Sequence, residues 1–240
     1  MSVSGFVYNG FDFSGLVQAE LTEPAALPLS PDAAAVPGRP GRLLLGCELP
    51  PRELTLRVFL DAGSKLNVDE LAAVRRELRA ALVALEGAEL SVPGEPGLTW
   101  RDAVLTGVTD WDSLFEGGSC ELAFTCFDPV AYGDVETSTG TSIEAGGTWR
   151  TWPVFELTAR AGSSVKVEDD AGSYVLIERT FRTGDTVLID CEREAVSVNG
   201  ADAATDVALG SAFFSLEPGT HAFSFSGCSA HETTWTERWL

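Results

Sequence analysis

The stretch CELAFTCFDPVAYGD, residues 120–134, predicts where one domain ends and the next begins. Four of its residues share one parity and would line the covered face of a single strand: Cys120, Leu122, Phe124 and Cys126. A thiol on such a face behaves as a small apolar side chain, which favours a core position over a metal site or a catalytic nucleophile. Pro129 lacks an amide donor and holds Asp128 extended, so the strand is expected to leave its sheet there. We therefore interpret the stretch as a structural boundary between two domains, called the seam below.

Upstream of the seam, residues 1–132 predict a domain of strands with one α-helix. The segment ELTLRVFL alternates apolar and polar side chains, as expected for a strand with one covered face. The helix is predicted at about residues 68–86, where apolar residues recur at steps of three and four: Leu71, Val74, Leu78, Leu82 and Leu85. Asn67 and Glu70 can cap its start, and Gly87 supplies a left-handed residue at its end.

Downstream of the seam, residues 133–240 predict an all-β domain. It begins with GDVETSTGTSIEAGGT, a polar and glycine-rich segment with the composition of a linker or a long loop. From Trp149 onward, short alternating strands such as SVKVE, TVLID and AFSFSG are separated by turn signals such as RTGD and VNGAD. No helical period interrupts them, so we predict an antiparallel β-sandwich. The predicted fold class is mainly β.

Charge and hydropathy limit the classes of function. The 240 residues carry 36 acidic and 16 basic side chains, for a net charge of −20. Such a surface cannot neutralise phosphates by counterion release, which argues against tight wrapping of DNA or RNA. The segment GRPG lacks the flanking helix of a nucleic-acid clamp loop and predicts a plain turn. With no apolar run near the roughly 18 residues of a membrane span and no signal-peptide pattern, we expect a soluble protein made in the cytoplasm.

Few residues could carry chemistry. Five cysteines, an odd number in strand-like contexts, predict reduced thiols rather than a disulfide framework. His221 alternates with phenylalanines on one strand face and is expected to be structural. Cys228 and His231 have the spacing of half a zinc site without a second pair, and Asp110–Asp112 with Glu116 is typical of a solvated turn. Phosphate-loop, nucleophile-elbow and zincin motifs are missing, so we predict no catalytic residue, no metal and no cofactor.

Several segments, in their order along the chain, resemble the distal tail protein (Dit) family of long-tailed bacteriophages. They are FVYNGFDFSGL, VPGRPGRLLL, RELTLRVFL, the predicted helix, PGLTWRDAVLTG and AFTCFDPVAYGD. The resemblance implies an N-terminal, β-sandwich-like belt domain with one helix over residues 1–132, and a C-terminal galectin-like β-sandwich over residues 133–240. The Asn-Pro-Arg run of sugar-binding galectins is missing, so the resemblance does not extend to lectin activity.

The same resemblance implies a function and a set of partners. Family members form a homo-hexameric ring that joins the tail tube protein to the tail-tip hub protein at the tip of the virion. DNA passes through the central channel without specific binding. A receptor-binding protein is a further implied partner, and membrane insertion is not implied. The site of synthesis would be the cytoplasm of the bacterial host.

Two groups of aromatic residues are candidates for binding. One is dense near the N-terminus and would either pack into its own core or form a subunit interface: Phe6, Tyr8, Phe11 and Phe13. The alternative function is a non-catalytic carbohydrate-binding module for host-wall glycans, and its candidate residues are tryptophans that stack on sugars: Trp149, Trp152, Trp235 and Trp239. A third hypothesis, a wall-degrading hydrolase, requires paired carboxylates that the sequence does not locate.

Overall fold

The chain divides into two compact units, one formed by Met1–Tyr132 with Leu240 and the other by Gly133–Trp239. We call them unit 1 and unit 2. The computed structural model describes residues 5–22, 27–60, 76–109 and 119–240. Some positions named by the sequence predictions lie outside these residues: Asn67, Glu70, Leu71, Val74, Asp110–Asp112 and Glu116.

In its described residues, unit 1 contains antiparallel strands and one helical segment. Its strands are β1 (Val7–Tyr8), β2 (Phe11–Asp12), β3 (Val17–Thr22), β4 (Ser30–Ala35), β5 (Arg42–Glu48), β6 (Arg52–Leu60), β7 (Ala88–Ser91), β8 (Thr99–Thr109), β9 (Ser119–Cys126) and the first residues of β10 (Ala131–Ser138). Within the described residues, helix α1 covers residues 76–81. The main sheet has the order β3-β6-β9-β8-β7-β1-β2, and β4 and β5 form a separate pair.

The core of unit 1 lies on one face of the main sheet because buried and exposed residues alternate along its strands. On β6, Leu54, Leu56 and Val58 are buried. Leu54 lies opposite Phe124 of β9, and Leu56 lies opposite Leu122. All four residues predicted for the covered face of β9 are buried: Cys120, Leu122, Phe124 and Cys126. The predicted strand face and the core position of both thiols are therefore confirmed.

The helix ends earlier than its apolar period predicts. Leu78 and Leu82 are 1% and 6% exposed as expected, whereas Leu85 is 94% exposed. The amide of Leu82 donates to the Leu78 carbonyl at 3.0 Å, but the amide of Val83 donates to the Ala80 carbonyl at 3.4 Å. A step from a four-residue to a three-residue bond is typical of a helix terminus. The prediction that the helix continues to residue 86 is therefore wrong.

Sheet pairing explains the early end of the helix. Residues 82–87 lead into β7, which pairs with β8. Gly87 has a φ of +78°, and a Cβ on it would lie 3.0 Å from the Cα of Asp102 on β8. The chain must therefore leave the helix before Gly87 to make this close approach. The left-handed conformation of Gly87 was predicted from the sequence. Gly87 lies after an additional turn, however, and not directly after the last helical residue.

Unit 2 is a sandwich of two antiparallel sheets. Its strands are the remainder of β10, β11 (Ser142–Ala145), β12 (Val154–Ala159), β13 (Gly162–Asp169), β14 (Tyr174–Phe181), β15 (Thr186–Asp190), β16 (Ala195–Val198), β17 (Ala201–Asp202), β18 (Gly219–Ser226) and β19 (Cys228–Trp239). One sheet has the order β17-β16-β15-β12-β19-β10, and the other has the order β11-β18-β13-β14. Both contribute to a single buried cluster that includes Phe155, Val165 and Ile177. The predicted β-sandwich is confirmed.

The polar segment predicted as a linker or a long loop belongs to the sheets of unit 2. It contains most of β10 and all of β11. Ile143 and Ala145 of β11 are buried, and Ile143 lies opposite His221 of β18. Polar residues occupy the exposed positions between them, so the composition is that of a linker although the backbone is paired. The linker prediction is wrong because pairing with neighbouring strands overrides local composition.

Candidate assembly surface

The N-terminal aromatic residues pack inside unit 1. Phe6, Tyr8 and Phe13 are 1%, 0% and 1% exposed. The rings of Phe6 and Phe13 stack with their centroids 4.3 Å apart, and the ring of Tyr8 meets that of Phe124 edge to face at 4.9 Å. The Tyr8 hydroxyl donates to the Ala103 carbonyl at 3.0 Å, so its polar end is also satisfied. These three side chains fill the interior of the unit.

Phe11 is the one member of the four interface candidates that keeps accessible surface. It is half-buried, and its ring lies edge-on to Phe13 with a centroid distance of 4.7 Å. It belongs to β2, the last strand in the order of the main sheet. The three buried rings could contact a neighbouring subunit only by leaving their own core. Their placement matches the core alternative that the sequence left open.

The β4–β5 hairpin exposes leucine on both of its faces. Among the described strands, β4 and β5 pair only with each other. Leu43, Leu44 and Leu45 of β5 are 41%, 61% and 59% exposed. Because successive side chains of a strand point to opposite faces, Leu44 lies on one face and its two neighbours lie on the other. Neither face of the hairpin is covered by the described chain.

This exposure makes the hairpin a candidate for binding another chain. A two-stranded hairpin is at best marginally stable alone in water, and unpaired strand edges recruit other strands. Leu29 and Val36, at the two ends of β4, extend the apolar surface with exposed fractions of 55% and 39%. Single exposed apolar residues are common, whereas a contiguous patch marks an interaction surface. Full burial of one leucine stabilises a complex by about 1.5–3 kcal/mol.

The hairpin also differs from the rest of the chain in charge. Residues 30–48 contain two acids and two bases: Asp32, Glu48, Arg39 and Arg42. Both arginines lie in the tip, residues 36–42, which contains no acid, whereas the whole chain has a net charge of −20. At the tip, the amide of Arg39 donates to the Val36 carbonyl at 3.2 Å and closes a turn over residues 36–39, which overlaps the first half of the GRPG segment. The tip of the hairpin is therefore a small basic patch on a protein with a negative net charge.

Sequence reasoning did not identify this hairpin, although a signal was present. A Pro-Gly turn precedes three consecutive leucines, and three successive residues cannot share one face of a strand. A run of this kind indicates either a strand buried on both faces or one exposed on both faces. The partner strand β4 did not help the prediction, because Ala33–Ala35 show no alternation of polar and apolar side chains.

The Asp-Pro seam is held by hydrogen bonds and by one cation–π contact. Asp128 accepts from the Val130 amide at 3.1 Å and from the Tyr132 hydroxyl at 2.5 Å. The Arg101 guanidinium lies over the Tyr132 ring, 3.7 Å from its centroid. β9 ends before Asp128, where Pro129 predicted that the strand leaves its sheet. The carboxylate of Asp128 therefore has a structural partner on each oxygen.

The tryptophans considered for sugar stacking are largely covered. All four are buried or half-buried: Trp149, Trp152, Trp235 and Trp239. The Arg238 guanidinium lies 4.6 Å from the centroid of the Trp152 ring and is held by a 2.6 Å contact with the Glu192 carboxylate. The Arg150 guanidinium lies 5.2 Å from the centroid of the Trp149 ring. An arginine therefore occupies one ring face of two of the four candidates.

The candidate metal ligands do not converge within the described residues. His221 Nε2 lies 2.7 Å from the Glu217 carbonyl oxygen, and the His231 ring stacks on Phe225 with centroids 3.9 Å apart. In the part of the chain that the structure describes, no group of three His, Cys, Asp or Glu residues could hold a metal ion.

In residues 5–22, 27–60, 76–109 and 119–240, no helix is long and apolar enough to cross a membrane.

The five cysteines differ in their accessibility. Burial raises the pKa of Cys120 to about 11 and the pKa of Cys126 and Cys191 to about 12. Burial also raises the pKa of the half-buried Cys228, whereas Cys47 is exposed on β5. The thiolate is the reactive form of cysteine, so the buried thiols stay protonated and inert at neutral pH.

We expect one thiol per chain, that of Cys47, to react rapidly with an aromatic disulfide reagent at neutral pH. The measurement is the absorbance of the released thiol in dilute protein, with all five thiols reacting after denaturation. Cys47→Ser should remove the fast phase, and the control Cys228→Ser should leave it. Two or more fast thiols in the native protein would contradict the burial described above.

Family models match both halves of the chain. A model described as phage tail protein RIFT-related domain matches residues 8–126. A model described as siphovirus-type tail component, C-terminal domain, matches residues 146–239. Together they leave only residues 1–7, 127–145 and 240 outside a match.

Solved structures show a similar fold. The crystal structure of SPP1 Dit, described as a paradigm of the hub adsorption apparatus in phages that infect Gram-positive bacteria, aligns with a TM-score of 0.82, 17% identity and coverage of 100% of both chains. Two structures of the phage P2 baseplate in its activated conformation, one with calcium and one with strontium, align with TM-scores of 0.46 and 0.45. Each has 10% identity and covers 91% of this chain and 90% of the other. No curated protein matches the chain.

Proposed function

Because the chain belongs to the siphophage distal tail protein (Dit) family, we propose that it forms a homo-hexameric ring that joins the tail tube to the tail-tip hub. Family membership makes it a structural component of the distal phage tail, and therefore of the virion. The observation that carries the proposal is the match of two tail-component domains, in order, over nearly the whole chain. In this proposal, unit 1 is the ring-forming belt domain and unit 2 is the galectin-like domain.

The proposed partners follow from this position in the tail. The ring contacts the tail tube protein on one side and the tail-tip hub protein on the other, and unit 2 offers a surface for a receptor-binding protein. The chain acts by shape and contact rather than by catalysis, and it is made in the cytoplasm of the bacterial host. Covered tryptophans in unit 2 favour this role over carbohydrate binding.

The net charge supports a channel that does not retain DNA. A chain with a net charge of −20 repels the phosphate backbone, and six copies multiply that repulsion around a shared channel. Binding to nucleic acid depends on lysine and arginine contacts with phosphates, and only 16 such residues stand against 36 acids. In this proposal, DNA slides through the ring without a specific contact.

Native mass spectrometry of the purified protein tests the ring. We expect a species of six 25.5 kDa chains whose share of the signal rises with protein concentration, and six-fold rings in negative-stain images. Cys47→Ser is the matched control, because multimers that persist in this variant are not produced by oxidation of the exposed thiol. A chain that stays monomeric at every concentration would overturn the proposal.

A further inference from the structure

Two hairpins of the chain contain the same dipeptide in their loop. Asn9 and Gly10 connect β1 to β2 in unit 1, and Asn199 and Gly200 connect β16 to β17 in unit 2. The φ angles are +52° and +73° in the first pair and +51° and +78° in the second. A two-residue loop in which both φ angles are positive is typical of a type I′ turn. The two turns therefore share their sequence and their left-handed backbone.

Both turns are also open to solvent. All four residues are exposed: Asn9, Gly10, Asn199 and Gly200. A Cβ added at either glycine would meet nothing within 4 Å, so each turn projects into open space. Water therefore reaches both dipeptides, and neither solvent access nor the backbone distinguishes them.

An asparagine that precedes glycine can lose its side-chain amide without an enzyme, because glycine has no side chain to hinder attack by its backbone nitrogen. That nitrogen forms a bond with Cγ of the asparagine, the Cγ–Nδ2 bond breaks, and the proton of the glycine amide leaves with Nδ2 as ammonia. Water then opens the resulting imide ring at either carbonyl, which leaves aspartate or isoaspartate. The net reaction takes up water and releases ammonia, without oxidation or reduction.

The side-chain amide of Asn199 is fixed at both ends. Its Oδ1 accepts from the Thr186 amide at 2.9 Å, and its Nδ2 donates to the Asp185 carboxylate at 3.0 Å. The backbone amide of Asn199 donates to the Thr186 carbonyl at 2.8 Å. Rotation of Cγ toward the glycine nitrogen therefore requires that two short side-chain hydrogen bonds break first.

The side chain of Asn9 is held much less firmly. Its Nδ2 lies 3.5 Å from the Val83 carbonyl oxygen, beyond the usual range of about 2.7–3.2 Å for such a bond. Its backbone amide donates to the Glu89 carbonyl at 3.2 Å. Among the residues that the structure describes, none donates a hydrogen bond to Asn9 Oδ1. Rotation of Cγ therefore costs less at Asn9 than at Asn199.

We propose that Asn9 is a site of spontaneous deamidation in the folded protein, and that the hydrogen bonds with Asp185 and Thr186 protect Asn199 from the same reaction. The inference does not depend on the proposed ring. Isoaspartate at position 9 adds a methylene group to the backbone of a two-residue loop, and the longer loop no longer matches the pairing of β1 with β2. Ageing of the protein by this route therefore begins in unit 1.

The first test follows both asparagines in one sample. The full chain is kept in dilute solution at mildly alkaline pH and digested at acidic pH, which stops the reaction. Peptide mass spectrometry measures the conversion, and an isoaspartyl methyltransferase assay detects isoaspartate. We expect Asn9 to convert at least about tenfold faster than Asn199, because the two additional hydrogen bonds raise the barrier. In denaturant, where neither turn remains, the two asparagines should convert at similar rates.

The second test removes the acceptor of the Asn199 amide. Asp185→Ala should raise the conversion rate of Asn199 and leave that of Asn9 unchanged. The matched control is Asp202→Ala in β17 of the same hairpin, because the Asp202 carboxylate is exposed and accepts from the Ala204 amide. This variant should leave both rates unchanged. Circular dichroism at the temperature of the experiment shows that the variants remain folded.

The results support or overturn separate parts of the inference. Faster conversion of Asn9 in the folded chain, with similar rates in denaturant, supports it. Equal rates in the folded chain, or no conversion of Asn9, overturn the modification site. A difference of the same size in denaturant overturns the role of the fold. A folded Asp185→Ala variant with an unchanged rate at Asn199 overturns protection by Asp185.

Discussion

Phe13→Ala is expected to lower the free energy of unfolding of unit 1 by about 3–5 kcal/mol, the range for removal of a large buried aromatic ring. Phe13 is 1% exposed, and its ring stacks on Phe6 with a centroid distance of 4.3 Å and an interplanar angle of 6°. Removal of the ring leaves a cavity that the stacked Phe6 cannot fill without losing its own contacts. The measurement is denaturant unfolding, with hydrogen exchange of the β9 amides as the local signal.

Phe11→Ala is the matched control, because Phe11 is the same residue type two positions away and is only half-buried. Its expected cost is about 1 kcal/mol. A Phe13→Ala variant that keeps its unfolding free energy but no longer assembles would contradict the core placement. It would instead place the N-terminal aromatic segment in the subunit interface.

The buried face of each strand could be predicted from the sequence, because it depends on the alternation of polar and apolar residues within that strand. On β6 and β9, the alternation of side chains directly records which face is covered, and each residue needs only its neighbours to show it. The end of α1 could not be predicted in this way. Leu85 continues the apolar period, but the close approach of Gly87 to Asp102 ends the helix, and Asp102 is a distant residue in the sequence.

The candidate site was harder to predict for a related physical reason. The hydrophobic effect favours burial of an aromatic ring both in the core of its own chain and in a subunit interface. The sequence pattern around Phe6 and Tyr8 is therefore the same in both cases. The hairpin leucines Leu43–Leu45 lack alternation because neither face is covered by the described chain. Only the three-dimensional arrangement shows which apolar residues the chain has already buried.

Gly147→Ala is expected to destabilise unit 2 by about 2–5 kcal/mol, because backbone strain and overpacking add. Gly147 has a φ of +91°, and a Cβ on it would lie 2.2 Å from the Arg238 carbonyl oxygen. That oxygen accepts the amides of Thr148 and Trp149 at 2.9 and 3.0 Å. An added methyl group must therefore displace the end of β19, and with it the 2.6 Å contact between Arg238 and Glu192.

Gly172→Ala separates the two causes. Gly172 has the same φ of +91°, but a Cβ on it would meet nothing within 4 Å, so its expected cost is the backbone strain alone, about 1–2 kcal/mol. Thermal and denaturant unfolding measure the difference between the two variants. Equal losses would contradict the close approach of Gly147 to Arg238.

The same variant also tests which unit builds the ring. If unit 1 makes the subunit contacts, Gly147→Ala should still give hexamers in native mass spectrometry at a temperature where unit 2 is loosened. Phe13→Ala should lose them under the same conditions, because the cavity that it creates lies in unit 1. Loss of hexamers in Gly147→Ala alone would assign the essential contacts to unit 2.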